Sequence, residues 1–406
     1  MSLRTSKKRT SDGLRVAMIG QRGVPATFGG IEHHVEQLGC RLAAKGHEVT
    51  VFCRTNYVVD RQPTYRGMRL RHLPTVSSKH LDAFAHSGLS TFSALARDFD
   101  VLHYHALGPG LLTPLPRYLS KARVVQTIHG LDNERAKWGL GARAVLTSAA
   151  WLSAHVPDTT IVVSKALADF YQQRYGRSTV HIPNGVNPPA SQPGPAEIAL
   201  RWGLKKGSYI LFVGRLVPEK APDLLIRAFG AVPGDLRLVI AGDSCFTDGY
   251  AAAIREAADA DPRVLLTGYV YGRALAELYH NAAAFVLPSA LEGFPLTLLE
   301  AASFGTPVIA SDIPPHLEVA GRDGPGHRLF RQGDTDDLTA ALQRGLADPL
   351  FEREGAAVLR AQVLRRYRWD DVAEVTEQAY LDVLSRRNEP PVAADDARAV
   401  AEGRRA

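Results

Sequence analysis

The residues best suited to chemistry concentrate in one short stretch, Ser289-Ala290-Leu291-Glu292-Gly293-Phe294-Pro295-Leu296-Thr297-Leu298-Leu299-Glu300. It holds two carboxylates, Glu292 in a Gly/Pro turn and Glu300 inside an apolar helical run. Proline lacks an N–H and has a fixed φ, so Pro295 is expected in the first turn of a helix, with Glu292 in the loop before it and Glu300 roughly two turns in. Such a helix start presents unpaired backbone N–H groups and the positive end of the helix dipole, which suit a phosphate. Carboxylates beside an anion site make sense as binders of uncharged hydroxyls on the same ligand. A nucleotide-sugar offers sugar hydroxyls, a diphosphate and a ribose together.

A second loop supplies cations. Gly214-Arg215-Leu216-Val217-Pro218-Glu219-Lys220 follows an apolar run, and its guanidinium and ammonium can neutralise a diphosphate leaving group, a task that a divalent ion performs elsewhere. The alternative is that Arg215 or Lys220 merely pairs with Glu219 or another surface acid, which is worth little. Near the N-terminus, Gly29-Gly30 opens a helix and lets backbone approach a ligand closely. Its context is neither G-x-G-x-x-G nor G-x-x-x-x-G-K-[ST], which argues against a nicotinamide enzyme and a P-loop NTPase. His129 follows the run Val124–Ile128 and precedes Gly130, at the functional end of an expected strand. His103 and His105 share one strand face and are metal-capable residue types, but no third ligand stands nearby in sequence, so no metal is expected. His33 and His34 lie on the first helix, and the sequence does not say which faces a ligand.

The elements that must position these groups alternate short β-branched runs with helical stretches, the pattern of parallel sheets covered on both faces. Strands are expected over 14–20, 48–54, 69–73, 101–105, 124–129, 159–163 and 180–182, then over 209–214, 236–241, 264–267, 284–287 and 308–310. The fold class is therefore α/β, with two doubly wound Rossmann-like domains, 14–187 and 188–366, meeting at the turn-rich stretch Pro183-Asn184-Gly185-Val186-Asn187. A helix over 367–387, with apolar residues at Val372, Val375, Ala379, Leu381 and Val383 or Leu384, is long enough to cross back to the first domain.

A chain of 406 residues with 45% hydrophobic and 22% charged residues reads as an ordinary globular protein of two cores. Cys40, Cys53 and Cys245 form no C-x-x-C pair, so reduced thiols are expected, with neither disulfides nor structural zinc. The N-terminus has no apolar leader and no window is long enough to span a bilayer, which points to the cytosol. The net charge of +6 is uneven: residues 1–13 form a basic arm and 388–406 a polar tail, both expected to be disordered. The arm reads first as a solvated tail. A peripheral contact with anionic lipid at the inner face of the plasma membrane, at about 1 kcal/mol per basic residue, is the alternative. No nucleic-acid partner is expected.

In this combination the motifs resemble the retaining glycosyltransferases of family 4, which have the two-domain GT-B architecture. The similarity runs in order through residues 14–386: Gly29-Gly30-Ile31-Glu32, Val101-Leu102-His103-Tyr104-His105, Thr127-Ile128-His129-Gly130, Ile182-Pro183-Asn184-Gly185-Val186, the loop from Gly214 to Lys220, and the paired glutamates. The run from His129 through Asp132-Asn133-Glu134 to Gly139 is similar to a bacterial, rhamnosyltransferase-like subgroup that builds surface polysaccharide.

The resemblance implies transfer of a hexose-type sugar from a UDP-, GDP- or dTDP-sugar to a sugar or lipid-linked acceptor, with no cofactor and no metal. It further implies that Arg215 and Lys220 hold the diphosphate, Glu292 the hydroxyls of the transferred sugar and Glu300 the ribose. Gly29, Gly30, Gly293, Phe294 and Leu296 bring backbone to the donor, and His129 reaches the sugar near the reacting carbon. Two departures are Ala221, where the family has Gly, and Pro314-Pro315, where it has Gly-Gly; Glu318 remains a candidate in that loop.

No D-x-D stands at a strand end, so leaving-group charge is expected to fall on Arg215, Lys220 and the helix dipole at Leu296. Glu292 and Glu300 are better explained as hydroxyl binders than as the acid and nucleophile of a glycosidase. Front-side attack by the acceptor hydroxyl, with the departing phosphate taking its proton, follows. Three other classes share these sheets. A nicotinamide oxidoreductase would want a glycine fingerprint, a GT-B epimerase would isomerise a sugar-nucleotide, and a binding protein would not turn over.

Overall fold

The computed structural model describes residues 13–27, 29–57, 60–75, 82–131, 140–243 and 248–385. The expected basic arm, apart from Gly13, and the polar tail lie outside the described residues, as do Cys245 and the subgroup-like run 132–139. Cys40 and Cys53 are buried free thiols.

Two parallel sheets carry the molecule. The first contains β1 (Arg15–Ile19), β2 (Glu48–Arg54), β3 (Thr64–Tyr65), β4 (Met68–Leu73), β5 (Val101–His105), β6 (Arg123–Ile128), β7 (Thr159–Val162) and β8 (Val180–His181) in the order β3-β4-β2-β1-β5-β6-β7-β8. The second contains β9 (Tyr209–Val213), β10 (Arg237–Ala241), β11 (Val264–Gly268), β12 (Ala284–Leu287), β13 (Val308–Ser311) and β14 (His327–Phe330) in the order β11-β10-β9-β12-β13-β14. Continuous apolar strands such as Ala284–Leu287 are buried along their whole length, as strands covered on both faces must be.

Leaving aside the antiparallel edge β3, each sheet reverses its strand order once, between β1 and β5 and between β9 and β12. A crevice opens outside the carboxyl ends at such a point, because the loops on either side diverge to opposite faces. The loops after β1 and β6 in one sheet, and after β9 and β12 in the other, carry the candidate residues, while His103 and His105 lie within β5 itself. β3 and β14 are two strands that the sequence pattern missed. β3 is a two-residue antiparallel edge on β4, and β14, His-Arg-Leu-Phe, has three partly exposed residues and no apolar run to announce it.

The chain passes between the sheets twice, side by side. Val186 N donates to Tyr367 O at 2.8 Å, and a Cβ on Gly185 would lie 2.6 Å from Trp369 N, so only glycine allows the two segments to cross this closely. The helix Trp369–Ser385 then packs against the first domain's helix Gly30–Ala44 and against β6. Its buried face is Trp369, Val372, Ala373, Thr376, Ala379, Tyr380 and Val383. Val375 and Leu381, expected on that face, are 46% and 44% exposed. Thr376 and Tyr380 take the positions one turn apart that a purely apolar count overlooks: Thr376 bonds Val372 O at 2.7 Å, and the Tyr380 hydroxyl reaches His103 Nδ1 at 2.6 Å.

Candidate functional site

The stretch Ser289–Glu300 leaves β12 as a turn and enters a helix, Leu296–Ser303, with Pro295 as its N-cap. Proline therefore stands one position before the helix, and Glu300 lies about one turn in rather than two. Glu292 is in the preceding turn, as expected. Its Oε1 accepts from the Ser289 hydroxyl at 2.8 Å and from the Lys220 ammonium, both on the same oxygen. Among the described residues no hydrogen bond to Oε2 accompanies these two.

Burial works against ionisation of Glu292, but the charge of Lys220, the neighbouring His316 and hydrogen bonds from Lys220 and Ser289 outweigh it, so its pKa falls below the usual carboxylate value. Glu292 is an anion at neutral pH, fit to accept hydrogen bonds from hydroxyls and unfit to donate a proton.

The cation loop after β9 lies against the same turn. Glu219 O accepts from Ala290 N at 2.9 Å and Leu291 N at 3.4 Å, which fixes the distance between Lys220 and Glu292 through backbone. Arg215 Nη2 lies 3.9 Å from Glu219 Oε1 and its side chain is 38% exposed, so the guanidinium stands at the lip of the crevice. Midway along the short helix, Glu300 Oε2 accepts from the Tyr279 hydroxyl at 2.8 Å. Thr297, in the helix's first turn, has a buried hydroxyl oxygen with no partner among the described residues.

The first sheet closes on this turn. A Cβ on Gly293 would lie 1.7 Å from His129 O, and one on Gly130 3.6 Å from Gly293 Cα. The end of β6 and the Glu292-Gly293 turn are therefore in backbone contact. Gly29, at φ 106°, is the N-cap of the helix Gly30–Ala44, and a Cβ on Gly30 would meet Leu296 Cδ1 at 3.2 Å. Two helix starts, one from each sheet, thus converge. Glu32, in the first turn of the first of them, turns back and accepts from Arg22 N at 2.9 Å, which ties that helix to the loop after β1. Phe294 is buried, and its carbonyl accepts from Leu296 N at 3.1 Å.

Several partners were not legible in the sequence. His316 is fully buried, with Nδ1 3.0 Å from the Ser311 hydroxyl, and desolvation depresses its pKa to about 4 although Glu292 opposes this. Glu318 does not face the crevice loops. It accepts from Lys165 N at 2.8 Å and its Oε1 lies 3.1 Å from His181 Nε2, tying the second sheet's helix Pro314–Ala320 to the first sheet. His105, expected to have no further ligands beside it, has two: His129 Nε2 is 3.2 Å from His105 Nδ1, and the His34 ring is 4.7 Å from that of His129. Burial holds all three imidazoles neutral, with His34 near 4 and the other two well below the ordinary histidine value.

Comparison with known proteins gives this geometry a family. Residues 28–189 match the model described as Glycosyltransferase Family 4, and 207–348 the model described as Glycosyl transferases group 1. A D-inositol 3-phosphate glycosyltransferase of Acidothermus cellulolyticus is 30% identical over 414 residues, covering 92% of this chain and 91% of its own. The chain belongs to glycosyltransferase family 4. The fold is GT-B. Sucrose-phosphate synthase from Thermosynechococcus elongatus superposes with a TM-score of 0.77 at 24% identity, covering 92% of this chain and 99% of that one. Anabaena HepE, solved with UDP-glucose, superposes at 0.76 and 16% identity, covering 91% and 100%. For a family 4 glycosyltransferase, the two converging helix starts and the Lys220–Glu292 pair occupy the crevice where open α/β sheets bind their ligands. Among the described residues no helix is long and apolar enough to cross a membrane.

Proposed function

We propose that the chain is a retaining, metal-independent hexosyltransferase that takes a sugar from a nucleotide-diphosphate donor bound by 188–366 and delivers it to an acceptor hydroxyl presented by 14–187. Polysaccharide or glycoconjugate synthesis at the cytoplasmic face is the setting this reading favours. The observation that carries it is the Lys220–Glu292–Ser289 cluster, held by the Glu219 carbonyl and pressed against the His129-Gly130 backbone.

In this reading Lys220 and Arg215 take the charge of the departing diphosphate, helped by the dipole of the helix Leu296–Ser303. Glu292 accepts from the hydroxyls of the transferred sugar through Oε2, and Glu300, oriented by Tyr279, accepts from the ribose. His129, a neutral imidazole at the end of β6, hydrogen-bonds the sugar beside the reacting carbon. The acceptor oxygen bonds to that carbon on the face from which the phosphate leaves, the carbon–phosphate oxygen bond breaks, and the acceptor proton passes to the departing phosphate oxygen. Closure of the two sheets around the donor excludes water, so the sugar goes to the acceptor rather than to solvent and the acceptor's proton stays with the departing phosphate.

A thermal-shift series with UDP, GDP, dTDP and ADP tests donor binding. One diphosphate at 100 times its Kd should stabilise the chain by about 2.7 kcal/mol. NMR of the product then reads the anomeric configuration. No shift with any of the four, or an inverted product, would remove the corresponding half of the proposal.

A further inference from the structure

Three histidines from three separate elements meet behind the crevice: His34 on the first helix, His105 at the end of β5 and His129 just after β6. One ring nitrogen from each lies within 4.8 Å of the others. Sequence spacing links none of the three elements, and the order β1-β5-β6 brings them together.

The hydrogen bonds around the cluster leave lone pairs pointing inward. Asn184 Oδ1 is an acceptor and lies 2.7 Å from His34 Nδ1, so that nitrogen carries the proton. His34 Nε2 is then a bare lone pair, and it is buried without a partner. His105 Nε2 faces the Met18 sulfur at 3.4 Å, also an acceptor, which leaves Nδ1 as the second lone pair. His129 Nε2 stands 3.2 Å from His105 Nδ1. A tetrahedral ion with metal–nitrogen bonds of about 2.0–2.1 Å sets its ligand nitrogens about 3.3–3.4 Å apart, so this pair already has the required spacing.

We propose that His34 Nε2, His105 Nδ1 and His129 Nε2 form a zinc site, with its fourth position open toward the crevice on the side of the partly exposed His129. Three imidazoles and an open fourth position favour Zn²⁺ over the hard cations Mg²⁺ and Ca²⁺, which want oxygen. Asn184 positions His34 for the metal through the opposite ring nitrogen, the usual means of fixing a histidine ligand. All three rings are neutral, the form a metal requires. On binding, His129 changes tautomer: the proton it shares with His105 leaves Nε2 as Nδ1 takes one up, so the ring stays neutral and the vacated Nε2 lone pair goes to the ion. The ion is an inhibitor rather than a helper, because it holds the His129 ring in the cluster and away from the sugar; this consequence rests on the role proposed for His129, whereas binding itself does not.

The test titrates the full chain with Zn²⁺ against a chromophoric chelator, and separately with Co²⁺, whose visible absorption distinguishes four-coordinate from six-coordinate nitrogen sites. One equivalent of tightly bound Zn²⁺, an intense four-coordinate Co²⁺ spectrum and a loss of affinity of about 100-fold in His34→Gln or His105→Gln are expected. Asn184→Ala, which leaves every ligand in place, should lose about 10–100-fold, and His155→Gln, on an exposed ring stacked on Trp151, should lose nothing. Absence of stoichiometric binding in the wild type, a weak six-coordinate spectrum, or undiminished affinity in both Asn184→Ala and a folded ligand variant would overturn the site. If Zn²⁺ binds as described and transfer does not fall, the site stands and the role of His129 fails. If transfer proceeds but no Zn²⁺ binds, the site alone fails.

Discussion

The carbonyl oxygen of His129 occupies the space that a side chain on Gly293 would need: a Cβ there would lie 1.7 Å from it. The contact joins the end of a strand in one sheet to the turn that carries Glu292 in the other, and it requires a residue with no Cβ. Gly293→Ala is therefore expected to push the two sheets apart at the crevice and to lower kcat/KM by at least tenfold, a size typical of small misplacements of reacting groups. Steady-state kinetics with a donor, together with a thermal melt, checks it. Wild-type turnover in a folded Gly293→Ala variant would show that the contact does not position the donor.

Lys220 and Glu292 are only 16% and 7% exposed. Removing one member leaves a mostly buried charge without its partner, so both single variants should lose stability as well as at least tenfold in turnover. An open, solvent-filled setting would have predicted loss of turnover alone. Lys220→Ala combined with Glu292→Gln removes the orphaned charge and should melt higher than Lys220→Ala while remaining equally inactive. A denaturation and kinetics cycle over the four proteins measures both quantities. Near-normal transfer by either single variant eliminates the role assigned to that residue.

Chelation separates the two metal statements. EDTA is expected to leave transfer intact, or to raise it where Zn²⁺ occupies the histidine cluster, since charge on the leaving group falls on Arg215 and Lys220. An initial-rate assay with and without EDTA is sufficient. Abolition by EDTA that Mg²⁺ restores refutes the metal-free account.

Acid should destabilise the chain in a definite window. His86 is buried between Arg54 and Asp82, and desolvation lowers its pKa to about 4; His316, beside Glu292 and Lys220, is lowered to about 4 for the same main cause. The unfolded chain takes up protons at these residues near pH 6.5 while the native chain refuses them. Their contribution is thus complete above about pH 6.5 and is lost as pH falls toward 4, by about 1.4 kcal/mol per pH unit for each histidine. Urea melts at pH 7 and pH 5 measure the slope, and His86→Gln should flatten it by about one proton's worth. An unchanged slope in that variant would falsify the assignment.

How much was legible follows from where each signal sits. Strands such as Glu48–Arg54, Val101–His105 and Ala284–Leu287 match their expected bounds, because β-branched and apolar residues run without interruption between turn formers. Lys220 and Glu292 could be placed together because each follows a strand, and topology brings such loops to one crevice. What failed needed tertiary knowledge. Ser289, although inside the most informative stretch, gave no hint that it would bond Glu292. His316 and the trio His34, His105 and His129 are brought to their sites by packing, not spacing. Glu318, carried as a site candidate from the Pro314-Pro315 loop, ties the two sheets together instead.

Tyr279 and Glu300 supply the last test. The tyrosine hydroxyl is buried and donates to Glu300 Oε2 at 2.8 Å, and its ring stacks on Phe304 with centroids 5.8 Å apart. Tyr279→Phe preserves that packing and deletes one charge-assisted hydrogen bond, leaving the carboxylate free to turn. If Glu300 holds the ribose of the donor, the loss falls on donor binding made equally in ground and transition states. KM for the donor should then rise about 3- to 10-fold, less than the about 1.5–3 kcal/mol that a hydrogen bond to a charged group is worth because it acts on the ribose only through Glu300, while kcat stays within about twofold. The same split is expected, more strongly, for Glu300→Gln. A fall in kcat at unchanged KM would place Glu300 at the reacting sugar rather than at the nucleotide, and would require Glu292 and Glu300 to exchange the tasks assigned to them.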